Sequence, residues 1–479
     1  MANELVLLEE INEPYLKNDD KEKQIKVRIR IEPSQEVRER CTHDVIQAMG
    51  SDICIVLDVS QSMRDVIAGK PERTGEVIEV EGIKKYVVRG GITKLDASLE
   101  AIKKLIPLLR ENDTLSLIAY EDEPHVIFSG YTSRDKNRIL SELENCRKYS
   151  GNTNISGALG EARALLSSVK QERPKKVIFL TDGQPYGDTE EKGITQGKLL
   201  ADYNITMDCL GFGNDFNYAF MEKIASFSKG RTDIIKTPED AEKIFESLFR
   251  RAQSAVATNV KLTLNFSPNV RVTEHYRGTP ENLYLGKVIL PTNERKYTLT
   301  LGQIERSQRY DYYFLVTVPP QVDYKGRFRL MKAEAEYYIP AMYGESVEKT
   351  SKNVIVEFGN NPELINEKNG DVERGYLLAE IKKLEDEADI ARANKNHVEV
   401  ISRYESIIEI FETLGMVAQL KNYREVLEKY KATGDISLDE LNNARRSSSQ
   451  AADAGVLEEP LREEDELAVF GQDTGLSWL

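Results

Sequence analysis

Asp58-Val59-Ser60-Gln61-Ser62 sets one carboxylate and two hydroxyls at alternate positions, where the apolar run DICIVLD (52–58) gives way to a polar loop. Alternate side chains of an extended segment share a face, so the three oxygens can converge on one point. Hard divalent cations take ligands of this kind. A second apolar run, KKVIFLT (175–181), ends in Thr181-Asp182-Gly183, and a polar loop, Ser150-Gly151-Asn152-Thr153-Asn154, opens a helical stretch. Ligands of an open parallel sheet bind beyond the carboxyl ends of its strands, where strand order reverses. If both runs belong to one such sheet, Asp58, Ser60, Ser62, Thr153 and Asp182 share a rim and form an oxygen-rich cation site. The same residue types also cap helices and close turns, in which case no metal is held. A metal-dependent hydrolase would need a base beside the ion, and no residue on this rim has an evident role as one.

The surrounding pattern supplies the elements. From about 50 to 250, short apolar runs without clean alternation (DICIVLD, DTLSLIAY, KKVIFLT, ITMDCLG) alternate with amphipathic stretches such as 94–110 and 154–169. Strands covered on both faces read this way, and their repetition with helices predicts a doubly wound, mostly parallel α/β sheet. HVIFSG (125–130) follows its predecessor too closely for a crossover helix and is expected at an antiparallel edge. Residues 64–91 read as an insertion carrying a hairpin. From 258 to 358 the period becomes two, which predicts an antiparallel β-sandwich. KQIKVRIRI (23–31) has the same pattern, with Ile25, Val27, Ile29 and Ile31 on one face. Pairing it with the later strands makes the α/β unit an insertion into the sandwich. From 372 to 431 the period returns to 3.6, with stripes such as Leu377, Ile381, Leu384 and Ala388, giving a small helical bundle. The expected units are a sandwich (1–49 with 255–360), an α/β domain (50–254), a bundle (361–446) and a flexible acidic tail (447–479).

Composition narrows the function. The chain has 479 residues, too many for one core, and 80 acidic against 65 basic side chains. A net charge of -15 argues against a nucleic acid partner. No run approaches the roughly 18 apolar residues of a membrane crossing, and the first residues are acidic where a signal peptide would be basic, so a cytoplasmic protein is expected. Four cysteines without metal-ligand spacing and only four histidines leave little material for zinc sites or histidine-based catalysis.

In their order and spacing, D-x-S-x-S, G-x-T-x and T-D-G resemble the metal-ion-dependent adhesion site of von Willebrand factor A (vWA) domains. The resemblance covers about 50–250 and includes GFGNDFNYAFMEKIASFSKG. It implies Ser60, Ser62 and Thr153 as hydroxyl ligands, Asp58 and Asp182 as direct or water-mediated ligands, and a divalent cation, Mg2+ first. It also implies a non-enzymatic module that grips an acidic side chain of a protein partner through the ion. The whole arrangement resembles two groups: adaptors of the Sec-type vesicle coat, and prokaryotic regulatory vWA proteins such as the archaellum regulatory network vWA protein. The latter implies a forkhead-associated-domain partner and a Ser/Thr kinase. The former fits an alternative, a scaffold of a larger assembly that needs no metal, as would service beside an AAA+ ATPase.

The tail adds candidate modification sites. Arg445 and Arg446 precede Ser447, Ser448 and Ser449 in a polar stretch that reads as exposed and flexible, a basic-directed kinase site, and Thr474 follows Asp473. A phosphate there would add nearly two negative charges and create an arginine-binding handle. Ser437 and Glu440 form a capping box that starts a last short helix.

Overall fold

The computed structural model describes residues 4–41, 50–70, 72–80, 83–168, 173–183, 190–213, 216–291, 294–322, 324–449 and 451. Thr474 and the acidic end of the chain lie outside them.

The α/β unit is built on a six-stranded sheet in the order Pro124–Tyr131, Thr114–Tyr120, Asp52–Asp58, Lys175–Thr181, Thr206–Phe212, Thr232–Ile235. All pairings are parallel except the first, where Pro124–Tyr131 runs antiparallel at the edge, as its short connection requires. Asp52–Asp58 and Lys175–Thr181 are buried at every residue, which explains their unbroken apolar character. Helices Lys94–Leu105 and Pro238–Ala252 cover one face through Leu99, Ile102, Phe245 and Phe249. Ile155–Ser167, Glu190–Asp202 and Tyr218–Phe227 cover the other through Leu159, Leu200 and Met221. The chain leaves Asp52–Asp58 toward one edge and later returns to build outward from its other side. Strand order therefore reverses at Asp52–Asp58. In the insertion, Glu72–Val80 pairs with Ile83–Arg89, and Val66 pairs with Thr93 to close its base.

Two five-stranded sheets face each other over a single apolar core. The early strand Lys23–Pro33 joins them as its alternation requires, pairing antiparallel with Tyr310–Val318 from Ile31↔Tyr310 to Lys23↔Val318. The short strand Tyr15–Lys17 is the exception to antiparallel order, running parallel to the end of Val347–Gly359. The α/β unit therefore sits between the early and late strands of the sandwich. Arg277, fully buried, ties the two together by donating to the Lys229 and Gly230 carbonyls at 2.8 and 3.1 Å.

Helices Gly370–Ala393, His397–Thr413 and Val417–Thr433 follow, the first two capped by Asn369 and Asn396. The first is covered on two sides. Val372, Tyr376 and Ala379 pack on Tyr276 and Tyr313 of the sandwich, while Leu378, Ile381 and Ala388 face the other helices. A single stripe through Leu377 does not describe it, and Leu377 is only half-buried.

The polar stretch after 436 corrects the sequence reading. The capping box of Ser437 and Glu440 forms, and the helix it starts runs from Leu438 to Ser449, past the expected boundary of the flexible tail. Arg445 pairs with Asp389 at 2.6 Å and Arg446 with Asp233 at 2.9 Å. Ser448 and Ser449 are buried, and their hydroxyls donate to Glu385 at 2.5 Å and Glu222 at 2.7 Å. Neither serine is exposed as a kinase substrate requires, and Ser447 is half-buried. Tertiary partners, remote in sequence, turn what reads as a linker into packed helix.

All four cysteines, Cys41, Cys54, Cys146 and Cys209, are free and buried, and burial pushes their thiols up. They act as small core side chains. Among the described residues no helix is long and apolar enough to cross a membrane.

Candidate metal centre

Asp58 ends its strand at the point where strand order reverses, and Thr181-Asp182 ends the neighbouring strand beside it. The chain then turns sharply through Gln61–Arg64, bringing Ser60 and Ser62 back over the strand ends. Asp58 Oδ1 accepts the Ser60 N–H at 2.8 Å, which sets the direction of this turn. The Ser60 and Ser62 hydroxyls lie 3.2 Å apart, and Ser62 Oγ donates to Asp182 Oδ1 at 2.7 Å. Direct contacts thus join four of the five expected residues.

Thr153 is buried on the third loop, and among the described residues its side chain makes no hydrogen bond to the other four. Its loop nevertheless belongs to this rim, since the Gly151 carbonyl accepts the Gln61 N–H at 3.2 Å and Ser150 Oγ donates to Gln61 Oε1 at 2.6 Å. The loop is held by Asp122, which takes the Asn152 side chain at 2.7 Å, and by the Glu121 carbonyl, which takes the Asn154 N–H at 2.8 Å. Gly151 has no room for a side chain, because a Cβ there would meet the Glu121 and Asp122 carboxylates at 2.3 and 2.5 Å.

The electrostatics are unusual for a buried cluster. Asp58 is fully buried and Asp182 is 1% exposed. The remaining contacts of Asp58 are neutral: Thr181 Oγ1 donates to Oδ2 at 2.7 Å and the Tyr120 hydroxyl lies 3.4 Å from the same oxygen. Burial, and then the charge of Asp182, push the Asp58 carboxyl up to about 7. Asp182 has a cationic partner, Lys94, whose ammonium sits 2.6 Å from Oδ2.

Sequence reasoning passed over Lys94, Tyr120, Glu121 and Asp122, and treated Thr181 only as part of T-D-G. Lys94 carried no readable signal, because it meets Asp182 across 88 positions, just after the insertion. Tyr120, Glu121 and Asp122 could have been found, since they end or follow a strand next to Asp52–Asp58 and must reach the same rim.

The donor set fits a hard divalent cation. It consists of carboxylate and hydroxyl oxygens with no sulfur or imidazole, and the two acids have one lysine between them. Among the described residues no group of three or more His, Cys, Asp or Glu side chains could hold a metal ion. A cation here would depend on the hydroxyls.

Residues 52–249 match the model of the von Willebrand factor type A domain. The chain contains a vWA domain. Its matched relatives include the Synechocystis protein sll0103, 29% identical over 178 residues that make up 36% of this chain and 42% of that protein. Human inter-alpha-trypsin inhibitor heavy chain H4 is 27% identical over 35% of this chain and 19% of its own length. The chain therefore spans less than half of these relatives. The fold likeness reaches further. A von Willebrand factor type A protein of Catenulispora acidiphila superposes with a TM-score of 0.71, covering 93% of this chain and 96% of its own at 16% identity. The ArnB paralog VWA2 of Sulfolobus acidocaldarius gives 0.53 over 93% and 99% at 14% identity, and human COPII-coat protein Sec24c gives 0.51 over 85% and 58% at 12%.

Proposed function

We propose that this protein is a non-enzymatic, metal-dependent interaction module whose vWA rim binds an acidic side chain of a protein partner through a divalent cation, Mg2+ first. The observation that carries the reading is the convergence of Ser60, Ser62, Asp58 and Asp182 at the reversal point of the sheet. Ser60, Ser62 and Thr153 are the hydroxyl ligands, and Asp58 and Asp182 act directly or through water. The ion supplies a Lewis-acidic centre for a further carboxylate. Two protein carboxylates leave a divalent ion net-neutral at best, so a partner's acid adds a ligand without overloading the site with negative charge. Thr181 and the Ser60 N–H hold Asp58 in place.

The proposed division is a sandwich of 1–49 with 255–360, the vWA domain over 50–254 and a helical unit after 361. A cytoplasmic, regulatory role is part of the same proposal, with a forkhead-associated-domain partner and phosphorylation by a Ser/Thr kinase. Given the burial of Ser448 and Ser449, the sites of choice are Ser447 and Thr474. The second reading, a metal-independent scaffold, is favoured by the extent of the fold likeness to a coat protein.

Partner capture from native extract with Mg2+ and with EDTA, using wild type and Asp182→Ala, separates the two. Binding that needs both the metal and Asp182 supports the module, and binding indifferent to both supports the scaffold.

A further inference from the structure

We propose that Lys94 is a tethered cation of the rim: its ammonium neutralises Asp182 until a divalent ion displaces it, so this lysine sets the metal concentration at which the rim becomes competent. The inference rests on the metal-site reading above and concerns how that site is regulated.

The pair is tight and enclosed, with Nζ to Oδ2 at 2.6 Å and side chains 10% and 0% exposed. The other carboxylate oxygen accepts Ser62 Oγ at 2.7 Å. Both oxygens of Asp182 are thus taken by donors of the chain itself, one of them charged. A divalent ion that takes Asp182 as a ligand competes with this ammonium for the same carboxylate, and two cations at one buried acid repel strongly.

Lys94 also stands where a lysine gains nothing from its own helix. It is the first residue of Lys94–Leu105, where unpaired N–H groups make the helix end partly positive and disfavour a cation. That end is already served by a capping box, with the Thr93 hydroxyl accepting from the Asp96 N–H at 3.0 Å and the Asp96 carboxylate accepting from the Thr93 N–H at 3.0 Å. The ammonium is held against the dipole by Asp182. Its backbone is fixed, since the Lys94 N–H donates to the Asp65 carbonyl at 3.1 Å and Val66 pairs with Thr93. Only the flexible four-carbon stem needs to move for the charge to swing clear, which suits lysine better than arginine.

Calorimetric titration of the full chain with Mn2+ tests the proposal, comparing wild type with Lys94→Met and, in case that variant folds poorly, Lys94→Gln, which keeps a donor for Asp182 without the charge. Either neutral variant is expected to bind Mn2+ about tenfold or more tightly than wild type. Its thermal midpoint in EDTA should lie below that of wild type, and Mn2+ should raise it by more. Equal or weaker Mn2+ binding by both variants, with wild type still binding, overturns the tether and leaves the metal site standing. Failure of all three proteins to bind Mn2+ overturns both.

Discussion

Two buried charge clusters of this molecule obey the same physics with opposite outcomes. At the vWA rim, Asp58 is surrounded by neutral donors and a second carboxylate, and its carboxyl is pushed up to about 7, first by burial and then by Asp182. At the junction of the vWA domain with the helices, Glu385 is equally buried. There the opposing charges of Lys382 and Arg445, with the Ser448 and Tyr423 hydroxyls, outweigh the burial that alone would raise it, and hold it below its ordinary value. Lys382 bridges Glu385 at 2.9 Å and Glu222 at 3.2 Å, and Arg445 donates to the Glu385 carbonyl at 3.0 Å. The difference lies in direct cationic contact. Glu385, held by Lys382 and the nearby charge of Arg445, serves as a fastener, whereas Asp58, with no cation in direct contact, is the rim acid open to one from outside, beside an Asp182 that Lys94 occupies.

The largest effect that could break this contrast lies at the junction. Lys382→Met leaves the buried Glu385 and the half-buried Glu222 without their shared ammonium and should cost about 3–5 kcal/mol of stability in denaturant unfolding. A cost near zero would remove the distinction between the clusters. Acid probes the same contact. Because the folded-state value of Glu385 is lowered, its stabilisation is present above its ordinary value of 4.5 and is lost as the pH falls through the lower folded value. Protease susceptibility of the helix Leu438–Ser449 should therefore stay flat from neutral pH down to about that ordinary value and rise as the pH falls from there through the lower folded value.

Ser448→Ala removes a neutral donor to an ionised acceptor and should cost about 1.5–3 kcal/mol in the same unfolding assay. The smallest effect belongs to the rim. Asp58→Asn exchanges a poorly compensated buried charge for a neutral amide and should change stability by less than about 1 kcal/mol, while abolishing metal uptake. A loss as large as that of Lys382→Met would make Asp58 a structural acid.

The contrast also explains what could be read in advance. Alternation in KQIKVRIRI fixes its inward face, and an inward face needs a partner sheet, so its pairing with Tyr310–Val318 was legible. Asp58, Ser60 and Ser62 were legible because five consecutive residues place them together. Lys94 and Glu385 were not, since each gains its meaning from partners dozens of positions away, such as Asp182 for the first and Tyr423 and Ser448 for the second. The stretch Arg445 to Ser449 misleads for the same reason: local composition favours a linker, and long-range pairs with Asp389, Asp233 and Glu222 outweigh it.

The central claim is that hydroxyls and acids of separate loops hold one divalent ion. Calorimetric titration of Mn2+ into wild type, Ser60→Ala and Asp182→Ala tests it most directly. Wild type should take up one Mn2+ per chain and neither variant any. No uptake by wild type, or equal uptake by all three, would contradict it.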